Sequence, residues 1–302
     1  MKRFKFLVSL HTRQNDFQRA QATSAEEAAQ KFGIDAEIAF AENDAVHQST
    51  QILQAIQNSG PSRPDAVLVE PVSGTALPQV ASAACNAGVG WVVLNKSPEY
   101  LAKLRREASA PVFSVSSDQE EIGRIQGRQF AALLPKGGSI LYIEGPSQST
   151  SARKRTAGML ETKPSNIQVV ILKGQWTEES AERAVDSWLK LATSFGAEID
   201  LVGAQDDSMA IGARKAFQKI TSERERERWL GLPFTGCDGL PGTGQAWVGK
   251  GWLTATIHIP PFAGTAIEIL LKALQEGKQP PLEHTVGVSF SIPSLEALKI
   301  IS

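Results

Sequence analysis

Cysteine and histidine are scarce in this chain, and neither forms a cluster. Two cysteines and four histidines occur among 302 residues. The histidines lie far apart in the sequence, at positions 11, 47, 258 and 284. Without a Cys/His cluster no zinc site is expected, and two cysteines do not make a disulfide framework. We expect Cys85 and Cys237 to be buried hydrophobic side chains, and we expect neither a metal nor a cofactor.

Long apolar runs are also absent, and no run approaches the length that spans a bilayer. Residues 1–10 are basic and then apolar, but the apolar run breaks at residues 11–13. It is too short for a secretory signal, and no small-residue cleavage site follows. The segment therefore predicts a first strand. Two alternatives stay open: a cytoplasmic protein, or one whose signal was removed before this numbering begins.

An excess of one charge sign is missing as well. With 31 basic and 32 acidic residues, the formal net charge is −1. The densest charge run, at residues 222–229, alternates in sign, which is typical of a solvated helix end. No helix-turn-helix pattern precedes the first strand. The chain therefore lacks the electrostatic footprint of a protein that binds nucleic acid or an anionic membrane.

What the chain does contain is a regular alternation of apolar runs and helical patterns. This alternation is typical of parallel strands joined by crossover helices. The length is about twice that of a typical domain, so we predict an α/β fold with two doubly wound parallel-sheet lobes. Strands are predicted over residues 4–10, 36–40, 66–70, 91–94, 112–115, 139–144, 169–172, 201–204, 234–237 and 254–258.

The two lobes are expected to be joined by three crossings. Two extended, Pro-flanked segments lie at residues 254–261 and 280–288, on either side of a predicted helix, and a third crossing falls at residues 112–118. The predicted N-terminal lobe comprises residues 1–117 plus 260–283, and the C-terminal lobe 118–259 plus 284–302. Such a three-segment hinge would let the lobes close on a ligand in the cleft between them.

Carboxylates follow two of the predicted strands. Asp206 and Asp207 come directly after one apolar run, and Asp238 follows another. In an open α/β sheet the carboxyl edge is where ligands bind. Because Asp is also a favoured N-cap, these residues have an alternative, structural role. We expect Asp207 to cap the next helix, and Asp206 and Asp238 to face a ligand.

Several motifs, in order and spacing, resemble a known family over nearly the whole chain. The motifs are Val-Ser-Ser-Asp at 115–118 with Gly123, Gly145 followed by Ser-Ala-Arg-Lys-Arg at 151–155, Gln-Asp-Asp-Ser-Met-Ala-Ile-Gly at 205–212, Gly-Cys-Asp-Gly at 236–239, and Gly-Trp-Leu-Thr-Ala-Thr at 251–256. The chain resembles the type I periplasmic sugar-binding proteins, which include the ribose binders, and the effector domains of the lactose-repressor family.

The resemblance implies a set of ligand-binding residues. Asn15 would bond a hydroxyl, and Phe17 would offer a ring face, unless Phe17 is the first core residue of its helix. Arg155 matches the family arginine, whose fork of donors a lysine does not copy. Trp176 matches a second aromatic that would sandwich the sugar, with burial in the core as the alternative. Family members use Asp or Asn as hydroxyl acceptors at three positions that correspond to Asp118, Asp206 and Asp238.

Three departures from the ribose binders stand out. Asn95 and Lys96 replace an Asp-Arg pair, Glu70 replaces an amide, and the hinge glutamine falls on Ile259. We expect Glu70, Asn95 and Lys96 to set ligand preference, toward a hexose, a polyol or an amino sugar. In the alternative, Glu70 and Lys96 neutralise each other.

The leading hypothesis is therefore a non-catalytic protein that binds a monosaccharide or a related polyhydroxylated molecule, for ABC-type uptake or sensing. The resemblance implies a monomer in the periplasm or cell envelope whose partner is a transporter permease or a membrane sensor, with no nucleic acid. One alternative is a repressor effector domain without its DNA-binding part. An enzyme is the third, but the segment at 239–244 contains Pro241 and lies far from the first strand, so it is a poor dinucleotide loop.

Overall fold

The computed structural model describes residues 3–58, 60–72, 77–191 and 197–301. The chain divides into two compact units, and each is an α/β unit with a parallel sheet, which confirms the predicted fold class. The first unit comprises Met1–Ser117 and Pro261–Gly287, and the second Asp118–Pro260 and Val288–Ser302. Closure of lobes about a hinge stays a prediction.

The first unit contains six strands and five α-helices among its described residues, besides a short 3-10 helix at Gly60–Ser62. In chain order they are β1 (Lys5–Leu10), α1 (Asp16–Phe32), β2 (Asp35–Phe40), α2 (Ala45–Gln57), β3 (Ala66–Val69), α3 (Leu77–Asn86), β4 (Gly90–Leu94), α4 (Tyr100–Glu107), β5 (Val112–Ser116), α11 (Ala263–Glu276) and β11 (Glu283–Thr285).

All six strands of this unit form one parallel sheet in the order β11-β5-β4-β3-β1-β2. Strands β3 and β4 are buried along their whole length, as expected for parallel strands covered by helices on both faces. Helices α1 and α11 pack on each other, while α2, α3 and α4 pack in sequence. The carboxyl ends of β1, β3 and β4 therefore lie side by side.

The first unit extends four residues past the boundary expected at residue 283, because β11 pairs with β5. The register places Glu283 opposite Ser114 and Thr285 opposite Ser116. Backbone bonding continues one residue further, since the N–H of Val286 donates to the carbonyl oxygen of Ser116 at 2.9 Å.

The second unit contains the remaining strands and α-helices, besides a short π-helical segment at Pro241–Gln245. They are α5 (Gln119–Leu133), β6 (Gly138–Glu144), α6 (Thr150–Thr162), β7 (Ile167–Lys173), α7 (Glu178–Leu189), β8 (Leu201–Ala204), α8 (Asp207–Gln218), α9 (Glu223–Leu230), β9 (Phe234–Thr235), α10 (Ala246–Gly249), β10 (Thr256–His258), β12 (Phe290–Ile292) and α12 (Leu295–Ile301).

Four of these strands form a parallel sheet in the order β7-β6-β8-β9, while β10 and β12 form an antiparallel pair. Neither β12 nor α12 is predicted from the sequence patterns. Both are short, so they carry little periodic signal of their own. Helix α12 is fixed by Leu298, which is fully buried in the core that includes Phe130 and Met159.

Helices α5 and α6 approach each other at two glycines. A Cβ atom on Gly123 would lie 2.1 Å from the carbonyl oxygen of Arg155, and one on Gly158 would lie 2.0 Å from that of Glu120. Only glycine permits such backbone contact. The consequence reaches the candidate site, because this approach brings the Arg155 side chain within bonding distance of Gln119.

Both cysteines are buried, as expected, and their chemistry follows from that. Cys85 lies in the core of the first unit, where burial raises its thiol pKa to about 11. Burial also raises the pKa of Cys237 well above its ordinary value. Thiols that stay protonated are poor nucleophiles. Within the described ranges, no helix has the length and apolar composition needed to cross a membrane.

Candidate functional site

Polar residues at the carboxyl edge of the first sheet come together as a cluster. His11 directly follows β1, Glu70 follows β3, and Asn95 and Lys96 follow β4. These strands are neighbours in the sheet, so the topology alone places the four side chains at one edge. We call His11, Glu70, Asn95 and Lys96 the first-edge cluster.

Glu70 is the most buried member of the first-edge cluster, at 2% exposure. Its Oε1 accepts a hydrogen bond from Asn95 Nδ2 at 2.9 Å. Its other oxygen, Oε2, is buried and accepts no hydrogen bond from the residues that the structure describes. Since a buried acceptor without a donor is costly, this oxygen is a candidate ligand contact.

Lys96 does not pair directly with Glu70. Its ammonium donates instead to the carbonyl oxygen of Pro71. The two charges still act on each other, since burial lowers the pKa of Lys96 while the Glu70 carboxylate opposes that shift. The described residues thus show no direct bond between Glu70 and Lys96, and a ligand contact for either residue stays a prediction.

His11, which the sequence shows only as one of four widely spaced histidines, belongs to the first-edge cluster. Its Nε2 lies 2.8 Å from the carbonyl oxygen of Pro71, the acceptor that Lys96 also uses. Burial lowers the pKa of His11 to about 4, although the neighbouring Glu70 carboxylate favours the charged form. The only sequence signal for this role is its position one residue after the first strand.

Asn15 and Phe17 lie at the start of α1. Asn15 is its N-cap, with the side-chain oxygen accepting from the N–H of Gln18 at 3.0 Å. Phe17 is 5% exposed and packs against Phe262, with ring centroids 6.1 Å apart. These contacts favour the core interpretation of Phe17 over a stacking role. Ligand contacts for either residue stay a prediction.

In the second unit Arg155 is 4% exposed on α6. Its Nε donates to Gln119 Oε1 at 2.8 Å, and its Nη1 donates to the carbonyl oxygen of Gln205, directly after β8. The guanidinium carbon lies 5.6 Å from the centroid of the Trp176 ring. Arg155 is thus held in a fixed orientation at the carboxyl edge of the second sheet.

Trp176, three residues after β7, is half-buried and has a backbone φ of +62°. A bulky residue in this left-handed region is unusual, and the surrounding structure must hold it there. A Cβ atom at Gly145 would lie 2.3 Å from the indole ring, so the glycine leaves the space that the ring occupies. The indole also contacts the core of the unit. The indole is therefore partly packed in the core, as one alternative expected, and partly exposed, as stacking on a sugar requires.

The expectation that Asp207 caps α8 is wrong. Asp206 is the N-cap, with extended backbone, and its Oδ1 accepts from the N–H of Met209 at 2.6 Å. Asp207 is the first helical residue and bonds elsewhere, accepting from the N–H of Gly239 at 2.8 Å and from Thr256 Oγ1 at 2.6 Å. The residue just before a helix, with extended backbone, is the one whose side chain reaches the first-turn N–H groups.

Capping does not exclude Asp206 from binding a ligand, since an ionised carboxylate has about four acceptor positions. Asp238 is 5% exposed and has a backbone φ of +106°. Asp118 is the N-cap of α5, where it accepts from the N–H of Glu121 at 2.9 Å, and its side chain is exposed. Ligand contacts for all three aspartates stay a prediction.

Positive backbone φ angles occur after the carboxyl ends of four strands, three of which carry candidate site residues. Among the described non-glycine residues, five have positive φ, and each follows the carboxyl end of a strand. Three of them are predicted site residues; the five are Glu42, Asn43, Asn95, Trp176 and Asp238. Strained backbone of this kind concentrates at binding sites. Elsewhere, Ile259 is fully buried, so the position of the family's hinge glutamine offers no polar group here.

Metal binding has no support in this geometry. Over residues 3–58, 60–72, 77–191 and 197–301, no group of three or more His, Cys, Asp or Glu side chains is arranged to hold a metal ion.

Comparison with known proteins decides the family. The family model described as periplasmic binding protein domain matches residues 6–279. The chain belongs to this family. The resemblance inferred from the sequence motifs is thereby confirmed.

Two curated relatives of this chain carry the names of different ligands. A putative rhizopine-binding protein of Rhizobium meliloti is 29% identical over 62% of this chain and 58% of its own length. The ribose import binding protein RbsB of Bacillus subtilis is 27% identical over 71% of this chain and 66% of its own length. The chain therefore spans between about half and two thirds of the length of these relatives.

A solved structure matches over the whole chain. It is an ABC transporter periplasmic solute binding protein from Actinobacillus succinogenes 130z with bound D-allose, 23% identical, with a TM-score of 0.80. The match covers 99% of this chain and 100% of that one. At this identity the likeness establishes the fold.

Proposed function

We propose that this protein binds a monosaccharide or a related polyhydroxylated small molecule and releases it unchanged. The observation that carries the proposal is the arrangement around Arg155 in the second unit. A buried guanidinium lies over the half-buried ring of Trp176, and Asp206 and Asp238 end neighbouring strands of the same sheet. Aromatic faces suit the apolar faces of sugars, while charged donors and acceptors suit hydroxyl groups.

The family relatives support the same ligand class. Their names refer to ribose and rhizopine binding, and the structural neighbour contains D-allose. The first-edge cluster adds a second set of hydroxyl partners in the first unit. By the same family relationship, we propose that the protein acts in the periplasm or cell envelope and delivers its ligand to an ABC transporter.

Binding without turnover is the testable core of this proposal. The experiment is a thermal-shift screen with D-ribose, D-allose, xylitol, myo-inositol and D-glucosamine, followed by calorimetry on each hit. A ligand that binds the native state raises the melting temperature. We expect at least one saturable hit whose sugar is recovered unchanged by NMR. A product signal, or no shift with any compound, would contradict the proposal.

A matched pair of variants ties the binding to the described geometry. Trp176→Ala removes the ring over which Arg155 lies, whereas Trp252→Ala removes a tryptophan that is 43% exposed. We expect the first change to weaken binding of the hit and the second to leave it unchanged. Equal affinities for the two variants would contradict the assignment of the second-sheet edge to the ligand.

A further inference from the structure

The tautomer of His11 is fixed by its contact with Pro71. A carbonyl oxygen only accepts, so the 2.8 Å contact at Nε2 requires that Nε2 carries the hydrogen. With a pKa of about 4 the ring is neutral near pH 7. In a neutral imidazole with hydrogen on Nε2, the other nitrogen, Nδ1, is an acceptor.

Nδ1 of His11 has no donor among the residues that the structure describes, and the ring is half-buried. The backbone around it is fully engaged: the N–H donates to Gln18 Oε1 at 2.9 Å, and the carbonyl accepts from Asn43 at 2.9 Å. The ring is therefore held in place while its single acceptor nitrogen receives no hydrogen bond from the described residues.

Two further groups of the first-edge cluster complete a pattern. Glu70 Oε2 is a second acceptor that nothing in the described chain satisfies. Lys96 donates one of its three N–H groups to Pro71, which leaves two donors. Lys96 and His11 share that one carbonyl as acceptor, so all three groups lie within one small region.

We infer that His11 is a ligand-binding residue of the proposed sugar site, and that its Nδ1 accepts a hydrogen bond from one ligand hydroxyl while Glu70 Oε2 accepts from another. Lys96 donates to an oxygen of the same ligand. This inference rests on the proposed function. The first-edge cluster would then bind a ligand that presents two hydroxyl donors close together. His11, one residue after β1, would be a determinant of ligand specificity.

The first test compares His11→Gln with His47→Gln. The glutamine amide at position 11 can still donate to Pro71, but it offers no acceptor at the position of Nδ1. His47 is exposed on α2 and is the matched control. With the tightest sugar of the five-compound panel, we expect at least about 10-fold weaker binding for His11→Gln and no change for His47→Gln. Melting curves confirm that both variants fold.

The decisive test crosses this variant with monodeoxy analogues of that same sugar. If His11 accepts from one hydroxyl, the analogue that lacks this hydroxyl should bind the wild-type protein at least about 10-fold more weakly than the parent sugar does. The same analogue and the parent sugar should bind His11→Gln with equal affinity. For Glu70→Gln, removal of a different hydroxyl should leave the affinity unchanged, although it weakens binding to the wild-type protein. Equal losses in wild-type protein and His11→Gln for every analogue would overturn the inference.

A spectroscopic measurement gives an independent readout. Nitrogen-15 NMR of histidine-labelled protein should show His11 as the tautomer with hydrogen on Nε2, and the Nδ1 resonance should shift on addition of the sugar. A sugar that binds without moving this resonance would refute the inference while leaving the proposed function intact. If no sugar of the panel binds the wild-type protein, the proposed function and this inference both fail.

Discussion

The guanidinium of Arg155 lies over the indole ring of Trp176, 5.6 Å from the ring centroid, and both side chains come from the same unit. Gln119 and the backbone of Gln205 hold the arginine from two other directions. A guanidinium that is stacked and bonded in this way has lost its side-chain freedom before any ligand arrives, which lowers the entropic cost of binding.

Replacing Arg155 by alanine should therefore weaken sugar binding by about 2–4 kcal/mol, because ligand oxygens lose a charged donor. Arg153, two residues earlier, is exposed and donates to the backbone of Ser147 at 3.2 Å. Arg153→Ala is thus the matched control and should change affinity little. Calorimetry on the two variants checks this, and equal losses, or none, would remove Arg155 from the site.

The neighbouring aspartates should separate in their effects. Asp207 accepts from Gly239 and from Thr256, and it is 2% exposed, so Asp207→Ala leaves two buried donors unpaired and should cost about 1–3 kcal/mol of stability for each. Asp206→Ala should cost about 0.5–2 kcal/mol for the lost cap and should also abolish measurable sugar binding.

Denaturant titrations and calorimetry on both variants test this separation. Asp207→Asn is an informative companion, because the amide keeps one acceptor. If Asp206→Ala binds sugar normally while Asp207→Ala folds with full stability and binds none, the two neighbours have the opposite roles.

His11 should make stability depend on pH. Its pKa is about 6.5 in the unfolded chain and about 4 in the folded one, because burial disfavours the charged ring. As pH falls below 6.5 the unfolded state takes up the proton first, so stability declines between pH 6.5 and about 4 and no further below that. The loss should be about 1–3 kcal/mol, given that the ring is half-buried.

The comparison of wild-type protein with His11→Gln cancels the contributions of titrating groups that do not interact with His11. Urea unfolding at pH 7, 5 and 4 gives the free energy of unfolding of both proteins. As pH falls, this free energy should decrease more for the wild-type protein than for His11→Gln. A difference that stays constant across this range would show that the pKa of His11 is the same in the folded and the unfolded protein.

The sequence predicted where the strands end better than it predicted the roles of individual side chains at those ends. Apolar runs that stop at polar residues located the ends of β3, β4 and β8, because a buried parallel strand must leave its polar neighbours at the sheet edge. The roles of Asp206 and Asp207 were misassigned, since they differ by one position in a helix start that periodicity does not resolve. His11 was missed because its partner, the Pro71 carbonyl, lies 60 residues away in the chain.

Ribose should not be the preferred ligand, and the first-edge cluster should be the reason. Lys96 supplies a point charge where the ribose binders have a guanidinium, and Glu70 offers acceptors where they have an amide. Site groups matched to one hydroxyl pattern are left unpaired by another, so D-ribose should bind at least about 10-fold more weakly than the best compound of the panel.

The double variant Glu70→Gln, Lys96→Arg restores both family groups and should move preference toward ribose. Asn95 Nδ2 would still find an oxygen at position 70, because a glutamine amide keeps one acceptor where Glu70 Oε1 now lies 2.9 Å away. A competition titration against D-allose, xylitol, myo-inositol and D-glucosamine measures the preference in both proteins. If ribose binds the wild-type protein at least as tightly as every other compound, the three departures do not set specificity. If the double variant keeps the wild-type order of affinities, Glu70 and Lys96 act on each other and not on the ligand.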